Sequence, residues 1–167
     1  MNELLPRVLL VDDDPDNLEL LGRILASEGY AITTATDADE ALELVRAQGA
    51  DCIVSDVRMP GRDGFSLLDT LRAEHAGIPV ILLTSHGGLD DAVRAVGRGA
   101  EHYLSRSVRG ETLRETVRAA LTRAAASRKS SPVIEVPRED VVGRSAAIVS
   151  LYNTIARVAG SSSPVLI

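Results

Sequence analysis

Between Arg7 and about Ala126 the chain repeats one pattern five times, a short apolar run followed by a longer amphipathic stretch. The runs are Val8-Leu9-Leu10-Val11, Ala31-Ile32-Thr33-Thr34, Cys52-Ile53-Val54-Ser55, Val80-Ile81-Leu82-Leu83 and His102-Tyr103-Leu104. They are too short for helices. Several are apolar on successive residues, the mark of strands buried on both faces. Helical spacing joins Leu18, Leu21 and Leu25, then Ala41, Leu44 and Val45, then Leu67, Leu68 and Leu71. It recurs in Ala92, Val93 and Val96, and in Leu113, Val117 and Leu121. Gly29 lies where the first helix would stop. Asp37, with Glu40 three residues on, has the form of a capping box opening the second. Strict strand–helix alternation predicts an α/β fold whose parallel sheet is covered on both sides.

Composition removes several function classes. Aromatic residues make up only 2% of the chain, so bases would have almost nothing to stack on, as single-stranded nucleic-acid platforms require. A net charge of −6 argues against a general binder of phosphate backbones. Cys52 is the only cysteine, which excludes an internal disulfide framework and a thiolate metal centre; its apolar surroundings predict a small buried side chain. No apolar stretch approaches the roughly 18 residues that span a bilayer, and the first residues lack the order of a signal peptide. A cytosolic protein without membrane contact is expected.

Ligands of open α/β sheets gather outside the carboxyl ends of the strands. There the first strand delivers Asp12-Asp13-Asp14, the third Asp56 and the fourth Thr84-Ser85, while Ser105-Arg106 follows the fifth. Carboxylates crowded together raise one another's pKa unless a cation intervenes. All-oxygen ligands suit a hard divalent ion, and Mg²⁺ fits best. Such an ion, a carboxylate, a hydroxyl and a guanidinium can together hold a phosphoryl group while a carboxylate attacks it.

Over roughly residues 7–125 these positions resemble the receiver domain of two-component response regulators. The likeness rests on Val11-Asp12-Asp13, on Ser55-Asp56-Val57-Arg58-Met59-Pro60-Gly61-Arg62-Asp63-Gly64, on Leu83-Thr84-Ser85 and on Tyr103-Leu104-Ser105-Arg106. It implies a flavodoxin-like fold of five strands and five helices, sheet order 2-1-3-4-5. It implies that Asp56 accepts phosphate from a sensor histidine kinase, and that Asp12, Asp13, Asp56 and the backbone carbonyl of Arg58 hold Mg²⁺. Thr84 matches the hydroxyl that moves toward the phosphoryl group, with Ser85 beside it. Tyr103 matches the aromatic that then turns inward. A homodimer through the face of the fourth helix, fifth strand and fifth helix is expected. The outer residues Arg114, Glu115, Arg118 and Arg123 could pair charges across it. One departure stands out: the family's Lys-Pro is Arg106-Ser107, followed by Val108 where the family has an aromatic. Arginine keeps the charge as a planar fork on a longer stem. A cis bond without proline costs about 3–4 kcal/mol, so a trans Arg106–Ser107 bond is expected.

Beyond Ala126 the character changes. Ser127-Arg128-Lys129-Ser130-Ser131-Pro132 reads as linker, and Ser145 to Ala159 as a helix before a final strand, Val165-Leu166-Ile167. Val142-Gly143-Arg144-Ser145, Ile155-Ala156-Arg157-Val158-Ala159 and Ser163-Pro164-Val165-Leu166-Ile167 resemble the entrance to the AAA+ ATPase domain of sigma-54-dependent (NtrC-type) activators. The expected plan is a receiver at 1–126, a linker at 127–139 and the truncated beginning of a sigma-54-interaction domain at 140–167. No Gly-x-x-x-x-Gly-Lys-Ser/Thr loop occurs, so this chain is expected to bind no nucleotide by that route and to be no enzyme itself. Contacts with sigma-54 RNA polymerase and DNA would belong to other domains.

Two other readings stay open. Arg106-Ser107 would also suit a receiver locked in one packing, a dimerisation or protein-interaction module independent of phosphorylation. A haloacid-dehalogenase-type phosphatase also places Asp-x-Asp after its first strand, with Asp12 as nucleophile, but this chain has Asp16 where such enzymes have Thr or Val. Asp12, Asp14 and Asp16 mimic a calcium loop, which fails at Asn17 and Arg23. His86, just after the fourth strand, is expected to sit in a mobile loop.

Overall fold

The computed structural model describes residues 5–85 and 88–129. Five strands and five helices alternate: β1 (Arg7–Val11), α1 (Pro15–Ala26), β2 (Ala31–Ala35), α2 (Ala38–Gln48), β3 (Cys52–Asp56), α3 (Gly64–Glu74), β4 (Val80–Thr84), α4 (Leu89–Gly97), β5 (His102–Ser105) and α5 (Gly110–Lys129). The strands form one parallel sheet in the order β2-β1-β3-β4-β5, as the resemblance implies. Every residue of β3 and β4 is buried, which is why these segments are apolar without alternation. The edge strands β2 and β5 are only partly covered. Helices α1 and α5 pack beside each other over one face, and α2 beside α3 over the other, with α4 against β5.

Local chemistry fixes where the helices begin. Asp14, Asp37 and Asp63 cap α1, α2 and α3, their carboxylates accepting from the backbone N–H groups of Asp16, Glu40 and Ser66. Pro15 opens α1, where its missing N–H costs nothing. The expected box at α2 is half present. Asp37 accepts from Glu40 N at 2.8 Å, but the Glu40 carboxylate reaches past the cap to the N–H and hydroxyl of Thr36, at 2.7 and 2.9 Å. Gly29 lies beyond α1 with φ +74°, a conformation that favours glycine.

Three helix faces differ from the spacing argument. In α2, Ala41 and Val45 are buried as the spacing predicts, but Leu42 is buried with them and Leu44 is only partly covered. In α4 the buried pair is Ala92 and Ala95, whereas Val93 is 53% exposed. That helix is turned so that the Arg94 guanidinium lies 4.4 Å from the centre of the buried Phe65 ring, with Arg98 at 5.6 Å. Arg98 also pairs with Asp69 of α3 at 2.7 Å. In α5, Ala120 is fully buried and Leu121 only partly.

Helix α5 continues to Lys129, three residues into the stretch read as linker. The rest of that linker, the expected domain opening at 140–167 and His86 lie outside the described residues. Cys52 is the small buried side chain expected, and burial pushes its thiol up to about 12, which keeps it protonated and inert. Among the described residues no helix is long and apolar enough to cross a membrane.

Candidate functional site

Parallel strands end on the same side, so β1, β3 and β4 deliver Asp12, Asp56 and Thr84 to one crevice. These three and Ser55 are the buried polar side chains among the described residues; Asp12 is 1%, Asp56 4% and Thr84 1% exposed. Burying a carboxylate is costly unless it is paired, and both aspartates are paired with one group. Arg106 Nη2 lies 3.0 Å from Asp12 Oδ2 and 2.7 Å from Asp56 Oδ2. The Arg106–Ser107 peptide bond is trans. Its loop is held by Arg106 N donating to Thr84 O at 2.7 Å and Val108 N donating to Ser105 O at 3.0 Å.

Asp12 is held from three directions. Its Oδ1 accepts from Asp14 N at 3.0 Å and Asn17 Nδ2 at 3.2 Å, while Arg106 takes Oδ2. Burial pushes its pKa above the usual carboxylate value, and the charge of Asp56 adds to this; the two hydrogen bonds and Arg106 oppose it. Asp56 is bound on one side only. Its Oδ1 is buried with no hydrogen-bond partner, and so is Nε of Arg106. Asp13 is exposed at the rim, yet carboxylate oxygens of Asp12, Asp13 and Asp56 all lie within 4.8 Å of one another.

The other expected residues are spread around this centre. Ser85 is exposed at the end of β4. Tyr103 packs against the apolar cluster from β5, opposite Leu82 in the sheet register. Its hydroxyl is buried near Thr84, yet the two do not meet at hydrogen-bond geometry. Burial raises its pKa above the usual tyrosine value. The Arg58 side chain is exposed and borders an open groove of about 570 Å³ with Asp13, Met59, Asp63, Phe65 and Arg94. On the opposite side, a cavity of about 80 Å³ extends beneath Arg106 between α1 and α5, walled by Leu20, Ile24, Leu83, Val108 and Leu113.

Two contacts were missed by sequence reasoning. Asn17 orients Asp12; its signal was an amide on the first turn of a helix starting three residues after the aspartate. Gly64 touches the backbone of the site: a Cβ there would lie 2.3 Å from Asp56 O and 3.0 Å from Val57 Cα. The arginines expected to pair across a dimer are engaged within the chain. Arg114 and Arg118 meet Glu28, and Arg123 meets Glu101.

Residues 8–118 match the family model described as the response regulator receiver domain. Among curated proteins, the chain is similar to the transcriptional regulatory protein GlrR of Escherichia coli (38% identity, 96% of this chain, 35% of the relative). It is also similar to the nitrogen assimilation regulatory protein NtrX of Azorhizobium caulinodans (34%, 96% and 36%) and to the DNA-binding transcriptional regulator NtrC of Escherichia coli (34%, 96% and 34%). The chain spans about a third of the length of these relatives. Among solved structures, the signal receiver domain of a LuxO repressor protein from Vibrio parahaemolyticus matches with TM-score 0.74 and 28% identity, over 77% of this chain and 99% of that one. NtrX from Brucella abortus matches with TM-score 0.71 and 33% identity, over 94% of this chain and 35% of that one. The strand order, the acidic crevice at the strand ends and a family match over most of the chain agree, and the chain belongs to the response regulator receiver domain family.

Proposed function

We propose that this chain is a phosphorylation-controlled switch in which Asp56 takes a phosphoryl group from the phosphohistidine of a sensor histidine kinase. The state of Asp56 carries the reading. A buried carboxylate oxygen without a partner is costly to keep, and Oδ1 is such an atom beside two further carboxylates. In the transfer, an Asp56 oxygen forms a bond to phosphorus as the bond from phosphorus to the imidazole nitrogen breaks. The electron pair leaves with that nitrogen, and solvent supplies any proton it needs.

The donor set is all oxygen, and three clustered carboxylates outweigh the single guanidinium among them. These residues fit a hard divalent cation such as Mg²⁺, held by Asp12, Asp13, Asp56 and the Arg58 carbonyl. Bound there, the ion would neutralise phosphoryl oxygens. Phosphorylation replaces one carboxylate charge by nearly two phosphate charges with strong acceptor oxygens. Thr84, Ser85 and Arg106 would satisfy them by moving inward, and Tyr103 would follow, biasing α4 and β5 between two packings. The α4–β5–α5 face would then serve a homodimer.

In the longer protein implied by its relatives, a receiver at 1–126 and a linker at 127–139 would control a sigma-54-interaction ATPase domain beginning at 140–167. That domain, with the DNA-binding parts, would contact sigma-54 polymerase. The test is intact mass after incubation with Mg²⁺ and an acyl phosphate, beside Asp56→Asn. One added phosphoryl group, absent from Asp56→Asn, is expected. No addition under conditions that label an ordinary receiver would overturn the switch and leave the locked interaction module. Label retained in Asp56→Asn but lost in Asp12→Asn would favour the phosphatase reading.

A further inference from the structure

The loop that carries Arg106 is a four-residue turn closed twice by one serine. Ser105 O accepts from Val108 N at 3.0 Å, which puts Arg106 and Ser107 at the two central positions. The Ser105 side chain closes the turn again: its Oγ accepts from Ser107 N at 3.3 Å, and the two serine hydroxyls meet at 2.8 Å. Arg106 N donates to Thr84 O at 2.7 Å, so the turn is also tied to the end of β4. From this mounting the guanidinium reaches Asp12 and Asp56 through a single nitrogen, Nη2. Its Nε is buried without a hydrogen-bond partner, and a cavity lies beneath the stem. With so few side-chain contacts, the direction in which Arg106 points depends on the turn.

We propose that Ser105 and Ser107 are positioning residues: the Ser105 hydroxyl and the Ser107 N–H lock the turn that sets Arg106 between Asp12 and Asp56. Proline, which the family has in place of Ser107, lacks the N–H and cannot make this closure. In this chain the serine at 107 and the arginine at 106 therefore form one device, and introducing the proline alone would harm the site. The inference rests on the acidic cluster being the cation site described above, because Arg106 and the ion compete for the same carboxylates.

The test compares the native chain with Ser105→Ala, Ser105→Thr, Ser107→Pro and the double variant Ser105→Ala, Ser107→Pro, with thermal unfolding as a check that each is folded. Nitrogen–proton NMR reads the Arg106 Nε–H signal, identified by its absence from Arg106→Lys. In the native chain and in Ser105→Thr, which keeps the hydroxyl, the signal is expected to be sharp and slow to exchange with solvent. In Ser105→Ala and Ser107→Pro it is expected to broaden and exchange faster. Mg²⁺ should bind these two variants about two- to tenfold more tightly, the effect of one hydrogen bond, because a loosened guanidinium competes less for the carboxylates. A site that was merely damaged would bind the ion more weakly. The double variant should match the single ones, since both remove the same bond. Ser105→Ala decides alone if the proline prevents folding. A native Arg106 signal in Ser105→Ala, or weaker Mg²⁺ binding by it, would overturn the proposal. A native chain that binds no Mg²⁺ would overturn the cation site, and the Arg106 signal would then decide the role of the turn.

Discussion

Replacing Arg106 by methionine keeps an apolar stem over the cavity and removes the charge between Asp12 and Asp56. Two nearly buried carboxylates would then face each other without a counter-ion. Breaking a buried ion pair by removing one partner costs about 3–5 kcal/mol. The Arg106 side chain is 30% exposed, so water screens part of this interaction and about 2–3 kcal/mol is the appropriate figure. For a domain of this size each kcal/mol moves the midpoint by about 3–5 °C, so a fall of about 6–15 °C is expected in metal-free buffer at neutral pH. The loss depends on pH in a definite direction. Asp12 already has a raised pKa through burial, so its charged form costs stability, and that cost is relieved as pH falls through the folded-state pKa. Removing Arg106 raises that pKa further, so the gap between the two chains should narrow as pH falls from neutral. Millimolar Mg²⁺ should narrow it too, because a cation held by the same carboxylates stabilises by mass action and does so more strongly where it displaces no guanidinium. Thermal unfolding of both chains, with a chelator and with Mg²⁺, reads all of this. An equal gap under both conditions would refute the idea that Arg106 is the resident counter-ion of a cation site.

Gly64→Ala would set a Cβ 2.3 Å from Asp56 O, which only backbone movement relieves; a loss of at least about 1–3 kcal/mol in chemical unfolding is expected, with slower labelling of Asp56. Tyr103→Phe removes a buried hydroxyl that lacks a hydrogen-bond partner, so stability should change by less than about 0.5–1 kcal/mol, unlike most deletions of buried polar groups. Asn17→Ala withdraws one donor from Asp12 Oδ1, and NMR titration should show the Asp12 pKa moving further up.

The sheet was legible because strands covered on both faces must be apolar without interruption; β3 and β4 were found to within a residue or two for that reason. The convergence of Asp12, Asp56 and Thr84 was legible too, since parallel strands end together. The face of α4 was not. Val93 looks like core by side-chain type, but the helix is seated through two alanine methyls and through arginines over Phe65, and no spacing rule weighs a cation against a ring. The same gap hid the destinations of Arg114 and Arg118. Their partner, Glu28, lies two residues beyond the end of α1 and is brought near only by the packing of α1 beside α5. Nor could a sequence show that one nitrogen of Arg106 would serve two carboxylates while its neighbour served none.

The seating of α4 has a kinetic consequence. The buried side chains that α4 shows among the described residues are the small ones of Ala92 and Ala95, whereas α3 buries Phe65, Leu67, Leu68 and Leu71. Local openings follow the smallest surface. The backbone amides of α4 should therefore exchange with deuterated solvent well before those of α3, through excursions that leave the sheet intact. Because the remaining hold runs through Arg94 and Arg98, added salt should hasten exchange in α4 far more than in α3.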